Sequence, residues 1–214
     1  RVLVPAGRVC CVVGAVNRSR RAKGRHYVLP LPSDIQVRSR GFGLDNLTPI
    51  IWLKVGNIRL EASRSSRFLG KPNLPNGVVK NDFETIVMLR KPGGYRSPTP
   101  EMEAASRIDN EDYFRWYVPV WSDVTGASTR DHPAPYPFEI AYRLVRMFSF
   151  VGDTVLDPFL GSGTTTSAAM ACGRNSVGVE IEPKYLELAA CRLAKLPFGV
   201  SLTVESSPPE TAGA

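Results

Sequence analysis

The 214-residue sequence has no apolar run near the roughly 18–20 residues that cross a bilayer, so no membrane-spanning helix and no membrane partner are expected. Its first residues lack the charged, apolar and small-residue succession of a secretory leader, and a cytoplasmic location is the expectation. Cysteine is scarce. Cys10, Cys11, Cys172 and Cys191 show none of the paired spacings of a zinc site, so reduced, mostly buried thiols and no metal are expected. Internal repeats are also absent. What remains, with 43% apolar and 22% charged residues, is the composition of an ordinary globular chain. The length suits one sizeable core, or one domain with a large insertion.

The formal charge of +7 favours a polyanionic partner, and its distribution says more than its size. Arg18, Arg20, Arg21, Lys23 and Arg25 crowd "NRSRRAKGRH"; Arg59, Arg64, Arg67, Lys71 and Lys80 are spread over a second polar stretch. Each stretch alone describes a solvated loop. Two of them beside a ligand site describe a surface that follows phosphates.

Short β-branched runs predict strands in "GRVCCVVG" (Gly7 to Gly14, buried), "LTPIIWLK" (Leu47 to Lys54) and "ETIVMLRK" (Glu84 to Lys91). Pro49 makes the second an edge strand or delays its start. A short helix is expected from an N-cap at Ser33 to about Gly41. Two irregular stretches, Gly56 to Asp82 and Pro92 to Arg130, are long enough to be functional or disordered. The second holds one expected helix and strand, with Trp116, Tyr117 and Trp121 buried. From His132 the pattern is regular: a helix with Ile140, Leu144, Met147 and Phe148 on one stripe, then strand, loop, helix, strand and helix. Pro183 opens the last helix, which carries Leu186, Ala189, Ala190 and Leu193. Such an order implies a right-handed parallel crossover, and the fold class expected is α/β.

The loop of this crossover, "DPFLGSGTTT", begins at Asp157. It lacks the lysine of a Walker loop. Thr166 stands where a dinucleotide loop has its third glycine. Asp157, at the strand's end, would repel a pyrophosphate by about a few kcal/mol at intermediate dielectric. The same carboxylate suits a cation. S-adenosylmethionine carries an ammonium and a sulfonium and no phosphate. Glu180, read as the end of the next strand, is placed for ribose hydroxyls, the glycines admit close backbone approach, and Phe159 offers an aromatic face to a cation. Taken alone, Gly161 and Gly163 describe a tight turn and Glu180 a carboxylate facing water. Together they specify a site.

The stretch from Val155 to Leu193 resembles the cofactor half of the amino-methylating (N6-adenine or N4-cytosine) DNA methyltransferases, whose signature reads D-P-F-x-G-S-G-T-T. "HPAPYPFEIAYRLVRMFSFVGDTV" resembles the preceding helix segment of that family, and "GRVCCVVG", "LTPIIWLK" and "NDFETIVMLRK" its later strands. The resemblance covers most of Arg1 to Leu193 and is weakest over Pro92 to Arg130. It implies a Rossmann-like, S-adenosylmethionine-dependent methyltransferase sheet with an inserted, irregular target-recognition region. It also implies double-stranded DNA as substrate, base flipping, and methyl transfer to an exocyclic amine. Asp157, Pro158, Phe159, Gly161, Ser162, Gly163 and Thr164 would line the methionine end. Glu180 would take the ribose, Ile181 would pack on adenine, and His132, Pro133 and Ala134 would flank the methionine through backbone. His132 is equally a hydrogen-bonded helix-entry residue. The DNA-binding candidates are Arg18, Arg20, Arg21, Lys23, Arg25, Arg64, Arg67 and Lys71. A cognate restriction endonuclease is a partner the family allows.

The family's catalytic tetrapeptide, D/N/S-P-P-Y/F/W, is missing. The only Pro-Pro lies in Ser207 to Glu210, with glutamate in place of the aromatic ring, so no catalytic residue is assigned. In a permuted branch of the family the tetrapeptide precedes the cofactor loop, and a sequence like "VLVPAGRV" follows soon after it. The expectation is a fragment or truncated product without turnover, whose missing strand belongs between "VCCVV" and "TVLD". Residues 1–55 are then the end of a catalytic subdomain. Residues 56–130 are a target-recognition region that includes strand 84–91, 131–198 the cofactor subdomain, and 199–214 a tail. Two other readings stay open: a non-catalytic or split remnant binding DNA and S-adenosylmethionine, and an RNA methyltransferase.

Overall fold

The computed structural model describes residues 2–18, 20–54, 75, 81–126, 137–197 and 203–205. Its larger part is a mixed sheet built around β6 (Phe83–Arg90), the longest strand. β1 (Arg8–Val13) runs antiparallel along one side of β6, with Arg8 opposite Arg90 and Val13 opposite Thr85. β5 (Ile50–Leu53) and the two-residue β4 (Asp45–Asn46) take the other side, also antiparallel. β7 (Val120–Trp121) adds to β5 in parallel.

The run Ile86 to Leu89 is apolar at every position because β6 is covered on both faces, as a central strand must be. Ile86 and Met88 join Ile50, Trp52, Trp116, Trp121, Val124 and Ile140 in the main core. The indole N–H groups of Trp52 and Trp121 donate to the carbonyls of Val124 and Trp116, both at 2.8 Å, so these rings bury without an orphaned donor.

Between β1 and β5 the basic stretch is not a plain loop. β2 (Val16–Arg18) pairs with β3 (Tyr27–Leu29) around the one-turn α1 (Arg20–Lys23). α2 (Leu31–Ser39) starts three residues earlier than the Ser33 cap predicts, because Pro32 pre-sets its first turn, and it runs on into a 3-10 turn, Arg40–Phe42. After β6, one expected helix is two: α3 (Pro100–Ser106), capped by Thr99, and α4 (Asn110–Trp116), capped by Asp109. Trp116 and Trp121 are buried as expected; Tyr117 is not, being 44% exposed. β6 at the centre and Trp116 and Trp121 in the core tie residues 83–90 and 116–124 to the sheet body.

α5 (Phe138–Phe148) is amphipathic on two sides. Ile140, with Leu144, Met147 and Phe148, meets the main core; Ala141 and Val145 meet Ala168 of α6 (Thr164–Ala171) and Val155. Arg143, almost fully buried, anchors α5 to the preceding chain. It donates to both Asp123 oxygens at 3.0 and 2.7 Å and to Glu139 at 2.8 Å, while lying 5.1 Å over the Trp121 ring.

β8 (Thr154–Asp157) and β9 (Asn175–Gly178) are parallel and joined by α6 in the expected crossover; α7 (Pro183–Leu193) follows. Gly173, at φ 70°, ends the α6 turn in the left-handed region that glycine tolerates. Three expectations need correction. β9 stops at Gly178, so Glu180 stands two residues beyond the strand. β1 is half-buried along its whole length rather than buried, and of the four free cysteines Cys191 is exposed and the others half-buried. Among the described residues, β8 and β9 bond only to each other, and α5 packs on both groups of strands.

Candidate functional site

The loop after β8 is held by the end of β9. Leu160 N–H donates to the Val179 carbonyl, and Val179 N–H to the Asp157 carbonyl, both at 2.9 Å. Gly178 permits this closeness: a Cβ there would come within 2.5 Å of Leu160 Cδ1. Gly161 and Gly163 both have positive φ, 54° and 78°, which a side chain would strain. Gly163 also rests on α7, where a Cβ would lie 3.3 Å from Ala189 Cβ and from Leu193 Cδ1. The loop is thus shaped by β9 on one side and α7 on the other.

Two carboxylates organise it. Asp157 Oδ1 accepts the Phe159 N–H at 3.0 Å, and Glu180 accepts the Gly161 N–H at 2.8 Å on Oε2 and the Glu182 N–H at 2.9 Å on Oε1. Phe159 and Ile181 stand out into solvent, 86% and 96% exposed, as apolar surfaces at the mouth. No cluster of three or more metal-ligating side chains occurs among the described residues. Two acids beside a tight glycine turn, with two apolar flanks, suit a ligand with a cationic end and hydroxyl groups; they oppose a polyphosphate.

The structure therefore brings together Asp157, Pro158, Phe159, Gly161, Ser162, Gly163, Thr164, Glu180 and Ile181. His132, Pro133 and Ala134 lie outside the described residues, as do Arg64, Arg67 and Lys71. Arg18, Arg21, Lys23 and Arg25 are exposed around the β2–β3 pair, where Arg20 opens α1. None of those four forms an ion pair among the described residues, and the Arg25 guanidinium lies 5.4 Å over the Tyr27 ring.

Sequence reading missed Arg192. From α7 its Nη1 donates to the Ser162 carbonyl (3.2 Å), Ser162 Oγ (3.3 Å) and Thr164 Oγ1 (3.4 Å). Its helical spacing puts it beside Ala189 and Leu193, but nothing local names a partner 30 residues upstream. Thr166, in the third-glycine position, exchanges a 2.9 Å hydrogen bond with Ser176 and so ties α6 to β9.

A profile of the N6/N4 DNA methylases matches residues 1–191. The chain belongs to that DNA methylase family. Type II methyltransferase M.MjaI of Methanocaldococcus jannaschii is 39% identical over 191 residues, covering 85% of this chain and 59% of the relative. Type II methyltransferase M.MthZI of Methanothermobacter thermautotrophicus is 36% identical over 206 residues, covering 90% and 55%. The chain thus spans a little over half the length of these curated relatives. Among solved structures, the DNA modification methylase TTHA0409 of Thermus thermophilus, complexed with S-adenosyl-L-methionine, is 49% identical with a TM-score of 0.78, covering 91% of this chain and 72% of that one. The cytosine-N4-specific PvuII DNA methyltransferase, at 18% identity and a TM-score of 0.61, shares the fold. This methylase-family chain has the Rossmann-like α/β fold of S-adenosylmethionine-dependent DNA methyltransferases.

Proposed function

We propose that this chain is the greater part of a site-specific DNA methyltransferase. It moves the methyl group of S-adenosylmethionine to the exocyclic amine of adenine (N6) or cytosine (N4) in duplex DNA. The observation that carries the reading is the Asp157–Glu180 pair around a glycine loop, in a chain 49% identical to a methylase complexed with that cofactor. When bound, the cofactor supplies an electrophilic methyl on positive sulfur. Asp157 would hold its ammonium, Glu180 the ribose hydroxyls, and Ile181 the adenine. Phe159, Pro158, Gly161, Ser162, Gly163 and Thr164 would complete the methionine end, to which the family resemblance also assigns His132, Pro133 and Ala134.

The exposed cations Arg18, Arg21, Lys23 and Arg25, with Arg20, Arg64, Arg67 and Lys71, grip the DNA backbone. Residues 56–130 contribute target recognition, and a cognate restriction endonuclease shares the recognition site. Binding measurements test the reading directly. The purified chain should bind S-adenosylmethionine and neither NAD nor ATP, and Asp157→Ala should weaken that binding by about tenfold or more, the worth of a charge-assisted hydrogen bond. Tight ATP or NAD binding without sulfonium binding would sink it. Replacing the β2–β3 arginines should weaken all duplexes alike and flatten the salt dependence.

A second reading has its own support. The sequence holds no D/N/S-P-P-Y/F/W element, and among the described residues β1 and β8 each have one unbonded side. A strand carrying the tetrapeptide would join those two edges, since unpaired strand edges inside a sheet are costly. On this reading the 214-residue chain alone binds cofactor and DNA weakly and does not turn over. Methylation of duplex DNA by the purified chain refutes it.

A further inference from the structure

Glycine loops that hold phosphate do so by aiming unpaired backbone N–H groups at the anion. Here two of those amides are already used. The Gly161 N–H donates to Glu180 Oε2 at 2.8 Å and the Phe159 N–H to Asp157 Oδ1 at 3.0 Å. Glu180 is further fixed from behind by the Glu182 N–H on its other oxygen, at 2.9 Å. We propose that Glu180 is a specificity-determining residue: its carboxylate occupies the loop's anion position from within and excludes phosphate-bearing nucleotides. In the same stroke it latches Gly161 in a ligand-ready conformation. The inference deepens the cofactor reading, and rests on it in taking this loop to be the ligand loop.

The geometry separates this role from that of a ribose acceptor. A residue that only accepts ribose hydroxyls has no effect on Gly161 before ligand arrives. A latch does, because the Gly161 N–H, in a turn at φ 54°, is engaged by Glu180 before any ligand arrives. Repulsion by Asp157 alone would lower phosphate affinity whether or not Gly161 is engaged. With the latch, phosphate must also displace a charge-assisted hydrogen bond.

The test is amide hydrogen exchange and NMR titration of the ligand-free chain, with inorganic pyrophosphate as probe. In the wild type, the Gly161 amide should exchange slowly and not shift with pyrophosphate. In Glu180→Ala its exchange should speed up roughly tenfold, the worth of one hydrogen bond, and it should shift on titration. A Gly161 amide unchanged in folded Glu180→Ala, or one that binds pyrophosphate in the wild type, overturns the proposal. Should the alanine variant not fold, Glu180→Gln carries the test. One amide oxygen can serve only one of the two N–H donors, so exchange should rise at Gly161 or Glu182, and no rise at either overturns it. S-adenosylmethionine binding is read in parallel. A wild type that binds it while Gly161 ignores Glu180 refutes the latch and leaves the cofactor reading standing; a freed Gly161 without any sulfonium binding does the reverse.

Discussion

The two sheets are held together in different ways. The larger one closes on big rings: Trp52, Trp116 and Trp121, interlocked with Ile86, Met88 and Ile140. Around β8 and β9 the contacts are small, with Ala141 against Ala168 and Gly163 against Ala189, supplemented by polar ties. Arg174, buried at the base, donates to the Ser149 carbonyl at 2.8 Å and to that of Cys172; Thr166 meets Ser176. Large side chains stabilise through the area they remove from water. Small ones let backbones come close, which a ligand loop requires and which contributes little burial. One region supplies stability and the other supplies geometry.

The sharpest way to break this division is to empty the larger core. Trp121→Ala should cost about 3–5 kcal/mol of unfolding free energy, the usual range for a buried tryptophan, read by urea denaturation followed by circular dichroism. A loss below about 1 kcal/mol would mean the rings do not carry that core. Next in size, Gly163→Ala should cost about 1–2 kcal/mol for the left-handed backbone alone and weaken S-adenosylmethionine binding further, because the loop must lift off Ala189 and Leu193. An unchanged affinity would show that α7 does not shape the loop.

A smaller effect depends on pH. The hydrogen bonds from Arg143 hold the Asp123 carboxyl below its ordinary value. Unfolded chains therefore bind this proton more readily than folded ones. The contribution is complete above the unfolded value, near about pH 4, and fades as pH falls through the lower folded value. Asp123→Asn should be less stable than wild type at neutral pH and show a shallower loss of stability in acid; identical acid profiles would contradict the role of the pair. The smallest effect is chemical. Burial, with Cys11 beside it, pushes the Cys10 thiol up to about 12, whereas Cys191 is exposed on α7. Alkylation near neutral pH should modify Cys191 first, with Cys10 slow until the chain is unfolded.

Much of this division could be read in the residues. The β-branched runs predicted β1, β5, β6 and β8, Pro49 correctly delayed β5, and the stripe Ile140, Leu144, Met147, Phe148 meets the core as its spacing implies. The loop motif put Asp157 at the end of β8, where the structure has it, because that motif is local in sequence. Non-local pairings were not legible. Val16 faces Leu29 across a stretch dominated by arginine, so the β2–β3 pair carries too few apolar positions to show a period. Thr99 and Asp109 are ordinary N-caps that could have divided α3 from α4, yet the acidic, alanine-containing run between them read as one helix. Arg192 and the Glu180–Gly161 bond depend on the tertiary approach of α7 and β9, which no spacing encodes.

Because α5 packs on both sheets, its loosening would be felt on either side. All three tryptophans belong to the larger sheet's core, far along the chain from Asp157. Their fluorescence therefore reads the folded state of the larger sheet: a melting point in indole emission that rises when sulfonium is added reports binding at the loop linked to folding of the whole chain.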